Sequence, residues 1–380
     1  MGGWPTRSAL NKPPFRADHV GSLLRPAELL AARYATGGDK PAPAQLEAME
    51  DALIPDVIAL QERLGLQGIT DGEFRRASFR SPVVSRVDGF TTVPQDPVWA
   101  ARDAAGHSHA LGDAPVAVSK LVRNRSIAAH EARFVKQHTS RTVKVTLPAP
   151  SYHCFYRTPD PAAYPDMDEY LDDLVRIYRE ELAELASAGV DYVQFDEVIQ
   201  AYLCDERIRA IVRRRGDDPD DLSRRYVDLI NRIVEGRSKD MTVAVHFCRG
   251  NSMGRWVAEG GYDAIAEAVF GGLNADALFM EYDSPRAGDF APLRYVSPDK
   301  VVVLGLVSTK NGDLEDKDEL KRKVDEAARL VPLDRLCLSP QCGFASRDKG
   351  NPVTVDDQIA KLALVVETAT DIWGGVNPSR

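Results

Sequence analysis

Residues 189–197 read Gly-Val-Asp-Tyr-Val-Gln-Phe-Asp-Glu, and this stretch decides the fold. Tyr192–Phe195 is a short run rich in β-forming side chains, and it ends on the carboxylates Asp196 and Glu197. Before it comes Met167–Ala188, where Leu171, Leu174, Val175, Ile177, Tyr178, Leu182 and Leu185 recur at helical spacing. Such a stripe needs a core to pack against. A helix feeding a short, buried strand is one unit of a parallel α/β sheet, because crossover helices cover both faces of a parallel strand.

The same unit recurs in both directions. Further β-rich runs lie near Ala17–Val20, Gly68–Thr70, Thr142–Leu147, Thr242–His246, Leu278–Glu281, Val301–Leu306 and Leu336–Leu338. Helical patterns lie at Ala44–Leu64, Pro219–Glu235, Ser252–Phe270, Leu314–Leu330 and Val355–Trp373. Eight strands alternating with helices predict an α/β protein built as a single (β/α)8 TIM barrel over 15–380. Residues 1–14, with three prolines and two glycines, read as a loose N-terminal arm. About 79–140 reads as an insertion between the second and third strands, partly helical near Ala128–Lys136.

Composition removes other classes. Of 380 residues, 44% are apolar and 28% charged, the balance of a globular protein. Lys+Arg number 48 against 57 Asp+Glu, and the net charge of −9 argues against nucleic-acid binding, which requires a basic face. No run approaches the roughly 20 apolar residues of a membrane helix. The start, Met-Gly-Gly-Trp-Pro-Thr-Arg, lacks the apolar centre of a signal peptide. The expected compartment is therefore the cytoplasm. The five cysteines, an odd number in a long chain, point to reduced thiols or metal ligands in place of a disulfide framework.

In a barrel, chemistry gathers at the carboxyl ends of the strands. The residues there are His19-Val20-Gly21-Ser22, Asp71-Gly72-Glu73, Pro148-Ala149-Pro150, Asp196-Glu197, His246-Phe247-Cys248, Glu281-Tyr282-Asp283, Ser308-Thr309-Lys310 and Ser339-Pro340-Gln341-Cys342-Gly343. His246 and Cys248, two apart on a strand, share a face. With Glu281 and Cys342 from neighbouring staves they offer four donors that suit Zn2+ in tetrahedral geometry. The alternative is that the thiols are small buried side chains, as Cys154, Cys204 and Cys337 read here.

At these residues the chain resembles the cobalamin-independent methionine synthase family in its short, single-barrel form. The resemblance runs through His246-Phe247-Cys248-Arg249-Gly250-Asn251, Phe279-Met280-Glu281-Tyr282-Asp283 and Leu338-Ser339-Pro340-Gln341-Cys342-Gly343-Phe344. It implies a zinc held by His246, Cys248, Glu281 and Cys342. It also implies homocysteine held at Gly21 and Ser22, at Glu73 of a Gly-Glu-Phe turn, and at Asp196 and Glu197. The implied activity is S-methyl transfer from 5-methyltetrahydrofolate or a related small donor to homocysteine, giving methionine.

This chain departs from the long form of that family: one barrel stands where two are found, and Leu147–Phe155 carries Tyr152 and His153 in place of a pterin-contacting Trp. The methyl donor is accordingly open. The alternative activity is alkylation of another thiol, of the epoxyalkane:coenzyme M type.

The implied chemistry matches the donor set. A free thiol is only about a few per cent ionised at neutral pH, and zinc coordination deprotonates it. Two thiolates and a carboxylate on the dication would keep the substrate sulfur electron-rich. Glu73 and Asp196 suit an α-ammonium and Ser22 an α-carboxylate, although such residues also serve as helix caps. Glu73 and Asp196, with His153 as a proton donor to a leaving nitrogen, form the candidate catalytic set. His19 reads either as lining the mouth or as packing beneath it, and Lys310, Arg16 and Arg249 read either as contacts to an acidic methyl donor or as surface charges. The expected partners are a small thiol and a methyl donor, with a homodimer and an accessory methyl-donor protein left open.

Overall fold

The computed structural model describes residues 12–37 and 40–376, so the arm expected over 1–14 falls, up to residue 11, outside the described residues. Among the described residues eleven strands follow one another in chain order. Seven of them form one curled parallel sheet: β1 (Gly68–Ile69), β6 (Thr142–Pro148), β7 (Tyr192–Glu197), β8 (Thr242–Phe247), β9 (Ala277–Glu281), β10 (Val301–Val307) and β11 (Leu336–Pro340), neighbouring in that order. Their residues are almost all buried, as strands covered by helices outside and by one another inside must be.

The eighth stave is the run expected near Ala17–Val20, but it is short. Ala17 bridges Leu338 in parallel, with Asp18 N–H donating to the Leu338 carbonyl and Leu338 N–H to the Arg16 carbonyl, both at 2.9 Å. Its other side reaches β1 through Leu23 N–H to the Gly72 carbonyl (3.0 Å) and the Thr70 hydroxyl to the Gly21 carbonyl (2.7 Å). Irregular contacts replace a ladder there. Arg16 fastens this stave: its guanidinium donates to the Leu336 carbonyl at 2.7 Å and stacks on Trp373. That is the amino end of β11, so Arg16 holds the stave at the end of the barrel away from the strand-end residues and does not contact an acidic methyl donor at the mouth.

Helices Pro43–Leu64, Met167–Ser187, Pro219–Val234 and Val355–Trp373 stand where the periodicity predicts them. The predicted 314–330 helix is shorter, Lys317–Ala327. The helix expected over Ser252–Phe270 does not form. Gly250, Met253, Gly254 and Gly260 all take positive φ, so the chain crosses the barrel mouth as a loop before 3-10 and π turns at Tyr262–Ala264 and Glu267–Gly271. The insertion is mostly β. A short helix, Ser81–Arg86, leads into the antiparallel pair β2 (Val87–Pro94) and β5 (Asp113–Arg123). Between these lies a small hairpin, β3 (Ala100–Arg102) with β4 (Ser108–Ala110), and Arg102 pairs with Trp256 of the crossing loop. The helix expected near Ala128–Lys136 is Ala129–His138, the crossover helix back to β6. Among the described residues no helix is long and apolar enough to cross a membrane.

Inside the barrel, the fully buried Lys144 ammonium meets Asp18 Oδ1 at 3.0 Å and also donates to the His19 carbonyl. Asp18 further accepts from Tyr192 Oη at 2.9 Å. Removing one partner of such a pair strands a buried charge, so Lys144→Met is expected to lower unfolding free energy by about 3–5 kcal/mol, read by urea denaturation. His19 belongs to this layer: it bonds the Gly68 carbonyl at 3.0 Å, and burial lowers its pKa to about 4, so it packs beneath the mouth as a neutral ring.

Candidate metal and thiol site

The sheet twist brings the carboxyl ends of β8 and β11 together. His246 on β8, Cys248 just after it and Cys342 two residues past β11 are all buried, and their ligand atoms lie within 4.8 Å of one another. The two sulfurs are 3.4 Å apart. Hydrogen-bonding contact with Cys248 holds the Cys342 thiol well below its usual range, as does the neighbouring His246 ring. Cys248 is driven upward by the same contact. Although burial opposes the charged ring, contact with the Cys342 sulfur raises the His246 pKa. Neither ring nitrogen of His246 meets hydrogen-bonding geometry with any described residue. A buried imidazole without a hydrogen-bond partner beside two sulfurs is a donor set that can bind a metal ion.

Glu281 stands apart from this trio. Its Oε1 accepts from Lys310 Nζ and its Oε2 from the Arg249 backbone N–H, at 3.0 and 2.9 Å. Arg249 is buried behind it, its guanidinium donating to Tyr262 Oη and to the carbonyls of Gly260, Glu281 and Ala287. Lys310 and Arg249 are thus tied to the Glu281 carboxylate and its strand, not free for a donor.

A cavity opens beside the trio. Val20, Ser22, Glu73, Asp196, His246, Cys248 and Cys342 line it, so one space gathers residues from four strand ends and the first stave. Glu73 is the most unusual of these. It is a non-glycine residue at φ 59°, directly after Gly72 at φ 67°, and such strain persists where a side chain must be aimed. Its Oε1 accepts from the Thr146 hydroxyl at 2.9 Å, while its buried Oε2 has no hydrogen-bond partner. Gly21 does not line the cavity but makes room beside Glu73: a Cβ there would stand 2.7 Å from Thr146 Cγ2 and 3.5 Å from Glu73 Oε1. Asp196 accepts from Gln194 at 2.7 Å, and burial raises its pKa to about 7.

Two residues of the expected set are placed elsewhere. Glu197 is fully buried and does not line the cavity; it accepts from Ser151 Oγ at 2.5 Å and from the N–H groups of Ile199 and Gln200 at 2.7 and 3.0 Å, as a helix cap. His153 is likewise outside the lining, packed on Phe90 with Nε2 3.2 Å from Tyr178 Oη. Burial, reinforced by Arg80, lowers its pKa to about 3, which leaves no proton to donate near neutrality. The role of proton donor expected for His153 is therefore not supported by its surroundings.

Burial raises the Glu197 pKa from 4.5 to about 7 despite its hydrogen bonds. The folded protein then holds a proton that the unfolded chain releases, so stability falls as pH rises from about 4.5 through 7. Glu197→Gln is expected to flatten that slope in urea midpoints measured against pH; a steeper slope would contradict the assignment.

The sequence marks Tyr152 only as standing where the long form has a Trp, and gives no signal for Phe79, Arg80, Tyr156, Tyr202 and Arg347, which also line the cavity. Arg80 and Phe79 sit in the insertion, where no strand-end rule selects them. Tyr152 lies four residues past β6.

The family model for the cobalamin-independent synthase catalytic domain matches residues 15–370. A Bacillus subtilis (strain 168) protein named YxjH is 38% identical, covering 95% of this chain and 96% of that protein. Methionine synthase of Pyrococcus furiosus is 25% identical, over 80% of this chain and 78% of its own. A Listeria monocytogenes crystal structure, provisionally named a vitamin-B12 independent methionine synthase, superposes with a TM-score of 0.73 at 30% identity, covering 96% of this chain and all of that one.

Proposed function

This chain belongs to the cobalamin-independent synthase catalytic-domain family, and on that premise we propose that it transfers a methyl group to the sulfur of homocysteine, giving methionine, with a zinc ion as cofactor. The supporting observation is the shared cavity. A trio of buried soft donors, with both imidazole nitrogens lacking hydrogen-bond partners, opens onto the same space as a carboxylate oxygen lacking any partner.

His246, Cys248 and Cys342 would hold the ion, with Glu281 as the fourth protein ligand or, in its present ion pair with Lys310, as a neighbouring charge. Three protein donors with a fourth position open to a ligand is the pattern of catalytic zinc. When bound there, zinc supplies the Lewis acidity that keeps a substrate thiol ionised at neutral pH.

The chain's own groups do the rest. Glu73 Oε2 receives the α-ammonium of homocysteine, joined by Asp196 once that carboxyl is ionised. Ser22, at the rim of the same cavity, receives the α-carboxylate. Tyr152, Tyr156 and Tyr202 exclude water from the sulfur, which matters because a desolvated thiolate is the stronger nucleophile. The methyl donor is a methyltetrahydrofolate or related small carrier.

The test is a turnover assay of the zinc-loaded protein with homocysteine against methyltetrahydrofolates of different glutamate number and methylcobalamin. Methionine formed from a methylfolate is the expected product. Turnover of 2-mercaptoethanesulfonate with an epoxide, and none of homocysteine, would overturn it in favour of the second thiol alkylation.

A further inference from the structure

Among the described residues, two arginines on the cavity wall have no carboxylate within ion-pair distance. The segment 77–80 runs antiparallel to 346–348: Phe79 N–H donates to the Ser346 carbonyl and Asp348 N–H to the Ala77 carbonyl, both at 3.0 Å, with Ser78 bridging Arg347. This pairing sets Arg80 and Arg347 side by side, both half-buried and both lining the cavity. A Cβ placed on Gly112 would stand 3.7 Å from a guanidinium nitrogen of each, so the two heads converge on one region.

Arg80 donates to Tyr152 Oη at 2.6 Å, and Arg347 donates to the Leu111 carbonyl. Among the described residues neither lies within ion-pair distance of a carboxylate. The nearby Asp348 is engaged by Arg33 at 3.3 Å and by Tyr34 at 2.7 Å. Asp113 acts on Arg80 only from beyond ion-pair distance, and it is exposed. Burial, followed by the charge of Arg80, lowers the Arg347 pKa, while Tyr152 and Asp348 act in the opposite direction. Beside them Phe79 and Tyr152 meet edge to face at 5.3 Å, as do Tyr152 and Tyr156, forming an aromatic wall.

We propose that Arg80 and Arg347 form an anion subsite that takes the acidic end of the methyl donor, with the aromatic wall against the donor's flat portion. Paired guanidiniums present forked donors that suit a carboxylate, and the anion relieves their mutual repulsion. The subsite makes the donor an anionic aromatic compound and not a neutral methyl carrier. This rests on the methyl-transfer function proposed above.

The test separates the two by measuring binding alone. Titration calorimetry on the zinc-loaded protein compares p-aminobenzoylglutamate with the uncharged p-aminobenzamide, in the wild type and in Arg80→Gln and Arg347→Gln. The acid is expected to bind the wild type more tightly than the amide and to weaken about tenfold in each variant. Unchanged amide affinity in the variants would show that the wall is intact. Equal affinity for the acid in all three proteins, or an amide that binds the wild type as well as the acid does, would overturn the subsite. So would variants that weaken homocysteine or 2-mercaptoethanesulfonate while leaving the acid untouched, because the arginines would then serve the acceptor. If the acid binds through these arginines in a protein that makes no methionine, the subsite stands and the methyl-transfer function falls.

Discussion

Cys342→Ser is expected to reduce methionine formation by at least about a thousand-fold, because a metal's charge stabilisation is worth several kcal/mol and each 1.36 kcal/mol is tenfold. The substitution is close to isosteric and the site is buried, so the melting temperature of the metal-free protein should move little. Zinc content by mass spectrometry of the desalted protein should fall with activity. Cys248→Ser should behave alike, since its sulfur lies 3.4 Å from that of Cys342. Chelation of the wild type should reproduce the loss, and added zinc should restore it. Full turnover in the chelated protein, or in either serine variant, would sink the metal-centred account.

Glu73→Gln should cost about 2–5 kcal/mol of homocysteine binding in the transition state, the range for removing one partner of a desolvated charge pair. That is roughly 30-fold or more in kcat/KM, with zinc content unchanged. The amide can still accept from the Thr146 hydroxyl, as Glu73 Oε1 does at 2.9 Å, so the left-handed turn should survive. The decisive comparison is with a thiol that has no amine. Glu73→Gln should leave turnover of 2-mercaptoethanesulfonate, if any, where it was. An equal loss with both thiols would mean that Glu73 serves the fold or the metal and does not grip the ammonium.

Much of the candidate site is legible in the sequence. His246-x-Cys248 on a strand end predicts a shared direction, and the structure brings His246, Cys248 and Cys342 within 4.8 Å. The eight-stave rhythm predicts the barrel, and seven laddered strands with a one-bridge eighth stave form it. Glu73 was visible as a carboxylate in a glycine turn, but its unpartnered oxygen was not. The helix expected over Ser252–Phe270 misled because apolar spacing does not record a backbone in left-handed turns at Gly250 and Gly254.

Glu281 and Glu197 show where sequence stops. Both are carboxylates at strand ends, and strand position alone makes them equal candidates. Glu281 meets Lys310 and the Arg249 N–H, while Glu197 caps a helix turn with Ser151 beside it. Arg80 and Arg347, 267 positions apart in the chain, are neighbours only because 77–80 pairs with 346–348.

The sequence by itself determined the parallel α/β class, the strand ends that carry the chemistry and the chemical types available there. These follow from local periodicity, which each segment carries alone. Which carboxylates are consumed by caps and ion pairs, which imidazole is left without a partner, and which arginines meet was decided only by the tertiary structure. Hydrogen bonds and charges act over a few ångströms between segments that sequence separation does not relate.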